Sequence, residues 1–130
     1  MDYKKLYQAW LNDERLCEEG KQELLSIAND EREKEYRFAA IAALEALKGK
    51  IPYFEVNTGA IARGYRKSPY PAPFLLDELK RLGFDAIISS DCHDAKFIDC
   101  GFDDAEQLLK AHGFNEIYVL KNGGFTATPI

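Results

Sequence analysis

The sequence has few histidines, few cysteines and no long apolar run. Of its 130 residues, two are histidine and three are cysteine, and no two cysteines form a C-x-x-C pair. Three cysteines in this arrangement give no even-numbered disulfide framework, so we expect reduced thiols and a cytoplasmic protein. No stretch approaches the roughly 18 to 20 apolar residues of a membrane span, and the N-terminus has no signal-peptide core. We therefore expect no membrane partner.

The sequence also lacks an excess of basic residues. It has 22 acidic and 17 basic side chains, which give a formal net charge of -5. Nucleic-acid binding needs a basic face that releases counterions from phosphates, so this composition argues against a nucleic-acid partner. Small anions remain possible ligands, because a few local charges are enough to bind them. Apolar residues make up 46% of the chain, which is sufficient for the core of one domain over residues 1–130.

The apolar pattern divides the chain into two parts. Residues 1–50 show helical spacing and predict a helical N-terminal third, whose last helix begins near Asp30 and stops at Gly49. From residue 51 onward, short apolar runs predict strands over 52–57, 86–89 and 117–121, with helices between them and a hairpin at Asn122-Gly123. This alternation predicts an α/β fold with a small, mainly parallel sheet or a piece of a barrel.

The first candidate functional segment follows the first predicted strand. Asn57 ends that strand, and the loop after it contains Gly59, Arg63, Gly64 and Arg66. Glycine lets the backbone approach a ligand closely, and arginine offers a planar fork that matches phosphate oxygens. The segment is thus a candidate phosphate cradle. The alternative is a solvated loop whose arginines pair with surface acids.

The second candidate segment follows the predicted strand at 86–89. Asp91 and His93 lie two residues apart, a spacing that lets a carboxylate oxygen and an imidazole nitrogen turn toward one metal ion. The alternative is a simple turn in which Asp91 caps the following segment and His93 is a surface residue. His112, in contrast, lies on the apolar stripe of a helix and is expected to be a helix-end cation or a core residue, not a ligand.

Together these segments resemble a known family. The chain from about residue 35 to its C-terminus is similar in order and spacing to histidinol phosphatases of the PHP (polymerase and histidinol phosphatase) family. The segment S-S-D-C-H resembles that family's last metal motif, which has the form S-D-x-H. The matching segments are E-V-N-T-G at 55–59, R-G-Y-R at 63–66, P-Y-P at 69–71, S-S-D-C-H at 89–93 and the tail from 101 to 123.

The resemblance implies a fold, a reaction and a set of site residues. It implies a partial (β/α) barrel of the PHP type and metal-dependent hydrolysis of a phosphate monoester, histidinol phosphate in histidine biosynthesis being the family's named case. By position, Asp91 and His93 would bind a divalent metal (Zn, Mn or Fe). Arg63 and Arg66 would bind the phosphate of a phosphorylated small molecule, and Asn57 would be a supporting residue.

The sequence departs from the family at its other metal positions. The family's opening H-x-H pair is absent, its middle G-H motif is replaced by a helical pattern, and the chain has two histidines in all. We therefore expect a truncated member that is inactive on its own. Two other functions stay open: a phosphoesterase completed by another chain or a second copy, and a non-catalytic module that binds a phosphorylated metabolite.

Overall fold

The computed structural model describes residues 31–130 and the isolated positions 12, 18 and 22. The helices predicted before residue 31 lie outside these described residues. The first described element is helix α1, Glu31–Leu47. Its end agrees with the predicted stop, because Gly49 follows with a φ of 74° that favours glycine.

The rest of the chain alternates between strands and helices, so the described fold is mixed α/β. Each predicted strand is confirmed to within one residue at either end. The elements are β1 (Tyr53–Asn57), the short α2 (Gly59–Ala62), α3 (Pro73–Leu82), β2 (Asp85–Ser89), a 3₁₀ turn (Ala95–Phe97), α4 (Phe102–Ala111), β3 (Glu116–Lys121) and β4 (Gly124–Pro129). None of the helices in this part of the chain is long and apolar enough to cross a membrane.

The strands form two separate pairs. Strands β1 and β2 pair in parallel, with Asn57 opposite Ser89 at their carboxyl ends. Strand β3 pairs with β4 in an antiparallel hairpin. The prediction that 117–121 would extend a mainly parallel sheet was therefore wrong in its pairing. The physical reason is local: Asn122 and Gly123 both have positive φ, as a two-residue hairpin turn requires, and this turn returns the chain directly onto β3.

Helix α3 connects β1 to β2 and supplies much of the core. Pro73 lies at its first turn, where no backbone N–H is needed, and Gly83 ends it in the left-handed conformation. The Phe84 N–H donates to the Leu79 carbonyl at 3.0 Å, which closes the last turn. The side chains that α3 buries pack with both strand pairs and α4; the main core consists of Val56, Leu76, Leu79, Leu82, Phe84, Ala86, Ala105, Leu109, Phe114 and Ile117.

Helix α1 is held on α3 by an apolar cluster and an ion pair. Phe38 and Ile41 of α1 pack against Phe74 of α3. Arg81 of α3 donates to Glu78 through Nε at 2.8 Å and to Glu45 of α1 through Nη2 at 2.6 Å. The Glu78 side chain is only 2% exposed, so Arg81 supplies the charge that makes its burial tolerable. The hydrogen bond to Glu78 raises the pKa of Arg81 above its ordinary value.

A second buried polar pair joins α3 to the end of α4. The Nδ1 atom of His112 lies 2.7 Å from Oδ1 of Asp77, and both side chains are almost fully buried. The burial of His112 agrees with its interpretation as a core residue. Sequence patterns gave no indication of its partner, which lies 35 residues earlier in the chain.

Candidate anion-binding site

The candidate site lies where β1 and β2 end side by side. Because Asn57 and Ser89 are opposite each other in a parallel register, the chain leaves the sheet at the same level after both strands. The Thr58 N–H donates to the Ser89 carbonyl at 2.9 Å, which joins the two exits by a hydrogen bond. The carboxyl ends of parallel strands are where α/β folds place their ligands.

A tight turn after β1 brings the backbone of α2 against the end of β2. The Gly59 N–H donates to Oδ1 of Asn57 at 2.9 Å, which stabilises the turn. A Cβ atom at position 59 would lie 2.6 Å from the carbonyl oxygen of Ser90 and 2.8 Å from Nη2 of Arg63. Only glycine therefore fits here without displacement of a neighbour. Asn57 thus stabilises the turn that leads to Arg63.

Arg63 reaches from the end of α2 to the loop after β2. Its Nη1 donates to the main-chain carbonyl of Asp91 at 3.2 Å, and its Nη2 lies 3.4 Å from Oδ2 of the same residue. The two side chains are 38% and 52% exposed, so the guanidinium remains accessible to a dissolved anion. The structure thus brings together two residues that the sequence pattern had placed on separate loops.

Arg66 is fixed differently, by stacking on an aromatic ring. Its guanidinium carbon lies 4.1 Å from the centroid of the Tyr70 ring, within range of a cation–π interaction. Tyr70 is in turn held beside β1, because its backbone exchanges two hydrogen bonds of 2.9 Å with Asn57. Both arginines are therefore anchored to the turn that ends β1.

These residues surround an open cavity of about 580 Å³. The lining combines charged, polar and apolar side chains. It consists of Glu55, Asn57, Arg63, Arg66, Tyr70, Pro71, Ala72, Leu75 and Asp91. The two arginines are balanced by two carboxylates, so the lining has a formal charge near zero.

The predicted metal ligands lie close together but are only two. The Nε2 atom of His93 is 3.9 Å from Oδ1 of Asp91, and the His93 side chain is 81% exposed. Within the described part of the chain, no group of three or more His, Cys, Asp or Glu side chains is arranged to hold a metal ion. The donors present do not fit the metal cluster that the resemblance implied, and Asp91 is already engaged by Arg63.

Among the cavity-lining residues that were missed as site residues in the sequence, two have polar side chains, Glu55 and Tyr70. Glu55 lies two positions before Asn57, so strand periodicity puts both side chains on one face, and Nδ2 of Asn57 donates to Oε1 of Glu55 at 3.2 Å. That period-two spacing was the signal available for Glu55. Tyr70 had no comparable signal, because its place depends on how the loop over residues 63–72 folds back onto β1.

Comparison with known proteins does not assign the chain to a family: no protein-family model matches it, and no curated protein sequence matches it.

Proposed function

We propose that this chain is a histidinol-phosphatase-like protein of the PHP family that, on its own, binds a phosphate monoester at the strand-end cavity without hydrolysing it. In this proposal β1 and β2 are neighbouring strands of a partial (β/α) barrel. The observation that carries the proposal is the exposed Arg63 guanidinium at the carboxyl ends of two parallel strands, next to a glycine whose missing Cβ leaves room for that guanidinium.

The cavity suits a phosphorylated small molecule in both size and chemistry. Its volume of about 580 Å³ lies within the range of roughly 300 to 1,000 Å³ that is common for small-molecule sites. Arg63 and Arg66 offer planar donors for phosphate oxygens. Pro71 and Leu75 also line the cavity and offer apolar contacts to the uncharged part of an ester.

Hydrolysis needs more than the described residues supply. In metal-dependent phosphoesterases, bound divalent ions generate the nucleophile and stabilise the developing charge. Asp91 and His93 are two donors, which is too few to hold such a cluster. The isolated chain is therefore proposed to bind a phosphate monoester without hydrolysing it.

Binding is tested by titrating inorganic phosphate into the protein while amide chemical shifts are followed by NMR at constant ionic strength. We expect saturable shifts around residues 57–66, and an affinity about 5- to 30-fold lower in Arg63→Ala, as is typical when a partly exposed charged hydrogen bond is removed. Lys110→Ala is the matched control, because Lys110 is an exposed cation in the last turn of α4 and does not line the cavity. Equal affinity in all three proteins would contradict the proposal.

Absence of turnover is tested separately with histidinol phosphate as substrate in the presence of Mn²⁺ or Zn²⁺. We expect no release of phosphate above a protein-free control. Sustained hydrolysis by monomeric protein, abolished by a chelator, would show that other side chains complete the metal site.

A second candidate function is a phosphoesterase completed by another chain. The observation that favours it is the exposure of the two predicted metal donors, 52% for Asp91 and 81% for His93. This exposure leaves room for a metal ion whose remaining ligands come from a partner chain. Equilibrium dialysis with Zn²⁺ at increasing protein concentration tests this candidate. Metal uptake that rises together with oligomer formation in sedimentation would support it, and uptake that stays negligible at every concentration would exclude a homo-oligomeric site.

A further inference from the structure

We infer that Asp91 is an internal competitor of the ligand: its carboxylate occupies Arg63, and a bound phosphate must displace it. The inference rests on the proposed function, since it concerns the same cavity, but it assigns Asp91 a role opposite to that of a metal ligand. In that other role Asp91 would promote phosphate binding through the metal. As a competitor it weakens binding.

Asp91 is held in position by its own backbone. Its φ of 46° lies in the left-handed region, which aspartate tolerates better than most residues. Its N–H donates to Oγ of Ser89 at 3.2 Å. This conformation presents the main-chain carbonyl and the carboxylate of one residue to the two terminal nitrogens of Arg63. The contact is thus built from the loop after β2.

The charge balance of the cavity puts a carboxylate beside any anion that binds Arg63. Two arginines and two carboxylates line it, and of the two carboxylates Asp91 is the one paired with Arg63, whereas Glu55 accepts a hydrogen bond from the Asn57 amide. A phosphate that approaches Arg63 meets the negative charge of Asp91 beside it. It must either share the guanidinium with a like charge or displace the carboxylate.

The ion pair between Arg63 and Asp91 is weak, because both side chains are partly exposed. Exposed ion pairs contribute little free energy, so a multiply charged phosphate can displace Asp91. Asp91 therefore lowers the affinity without abolishing it. Removal of the carboxylate also removes a like charge from the cavity, so we expect phosphate affinity to rise about three- to tenfold.

The test compares Asp91→Asn with Asp94→Asn in the same NMR phosphate titration, with a chelator present. Asp94 is a matched control: it lies three residues away, its side chain is 53% exposed, and it pairs with Lys96 outside the cavity, so both variants change the net charge equally. We expect Asp91→Asn to bind phosphate about three- to tenfold more tightly than wild type and Asp94→Asn to match wild type within about twofold. When Asp91→Asn is added to Arg63→Ala, phosphate affinity should rise less than it does when Asp91→Asn is added to wild type, because the competition requires the Arg63 guanidinium.

The results that overturn the inference differ from those that overturn the proposed function. Equal or weaker phosphate binding by Asp91→Asn, while Arg63→Ala still loses affinity, would reject the competitor role and leave the anion site intact. Phosphate binding that depends on Zn²⁺ and is weakened by Asp91→Asn would also reject the competitor role, since this is the behaviour of a metal ligand. Absence of phosphate binding in every variant and in wild type would overturn both.

Discussion

The substitution Gly59→Ala tests whether the turn after β1 is packed as tightly as the site requires. The added Cβ would lie 2.6 Å from the Ser90 carbonyl oxygen, about 0.8 Å inside the 3.4 Å at which ordinary contact begins. Because that oxygen belongs to the backbone, it cannot rotate away as a side chain would. Forced overpacking commonly costs about 1 to 3 kcal/mol, and alanine regains about 0.4 to 1 kcal/mol by restricting the unfolded chain. We expect a net loss of about 1 to 2 kcal/mol.

Urea unfolding followed by circular dichroism measures this loss, and two other glycines serve as controls. Gly124 has no atom within 4 Å of its would-be Cβ and no positive φ, so Gly124→Ala should not lower the free energy of unfolding and should raise it by at most about 1 kcal/mol. Gly64 is equally open but has a φ of 73°, so Gly64→Ala should cost about 1 kcal/mol through backbone strain alone.

The same substitution should weaken phosphate binding, because the Cβ would also lie 2.8 Å from Nη2 of Arg63 and push the guanidinium out of place. Stability of Gly59→Ala equal to that of Gly124→Ala, together with unchanged phosphate affinity, would refute the reasoning. It would mean that the end of β2 and the start of α2 are further apart than the structure has them.

Three further predictions concern the core, an ion pair and a phenol. Leu76→Ala should lower the free energy of unfolding by about 2 to 5 kcal/mol in urea, because the side chain is completely buried; a loss below about 1 kcal/mol would argue against that burial. Arg81→Met should lower the free energy of unfolding by about 2 to 4 kcal/mol, because it leaves the Glu78 carboxylate buried without this partner. Since the pKa of Arg81 is raised, this loss of unfolding free energy relative to wild type should be the same from about pH 7 to pH 10. If the loss disappeared in that interval, the ion pair between Arg81 and Glu78 would not be its cause. The Asp85 carboxylate is the main cause of the raised pKa of Tyr118, so Asp85→Asn should lower that pKa in a titration of phenolate absorbance. Because the pKa of Tyr118 is higher in the folded than in the unfolded protein, the free energy of unfolding of wild type should fall as pH rises above the ordinary tyrosine pKa.

The elements of the fold were predictable where the signal is local. The short apolar runs that became β1 and β2 depend on residues within one element, and the structure has both strands within a residue of the predicted bounds. The antiparallel partner of β3 was predictable as well, because the hairpin signal at Asn122-Gly123 is local, and the structure confirms that pairing. The wrong part of the prediction was that residues 117–121 would also join the parallel sheet. That pairing depends on how distant elements pack, and among the described residues β3 pairs with β4 and not with β2.

The candidate site was predictable to the extent that it follows from topology. Each of the two loops was predicted to follow a strand, and since parallel strands end at one edge, the structure brings Arg63 and Asp91 together there. The stacking of Arg66 on Tyr70 and the buried pair of Asp77 with His112 were not expected. Each depends on how a loop or a helix packs across the fold, and the sequence around either partner carries no periodic signal for the other.

The junction beneath the site shows why the fold and the site are difficult to alter separately. Thr58 is completely buried, and its hydroxyl lies 3.4 Å from the Ser89 carbonyl that its own N–H already contacts. A Cβ at Gly101, just before α4, would approach the Thr58 side chain to 3.3 Å. Two strand ends and the start of α4 therefore meet around Thr58, whereas Arg63 and Asp91 above it are partly exposed. The close packing around Thr58 fixes the positions of Arg63 and Asp91. Because both charged side chains are partly exposed, the ion pair between them is weak enough for an anion to displace the carboxylate.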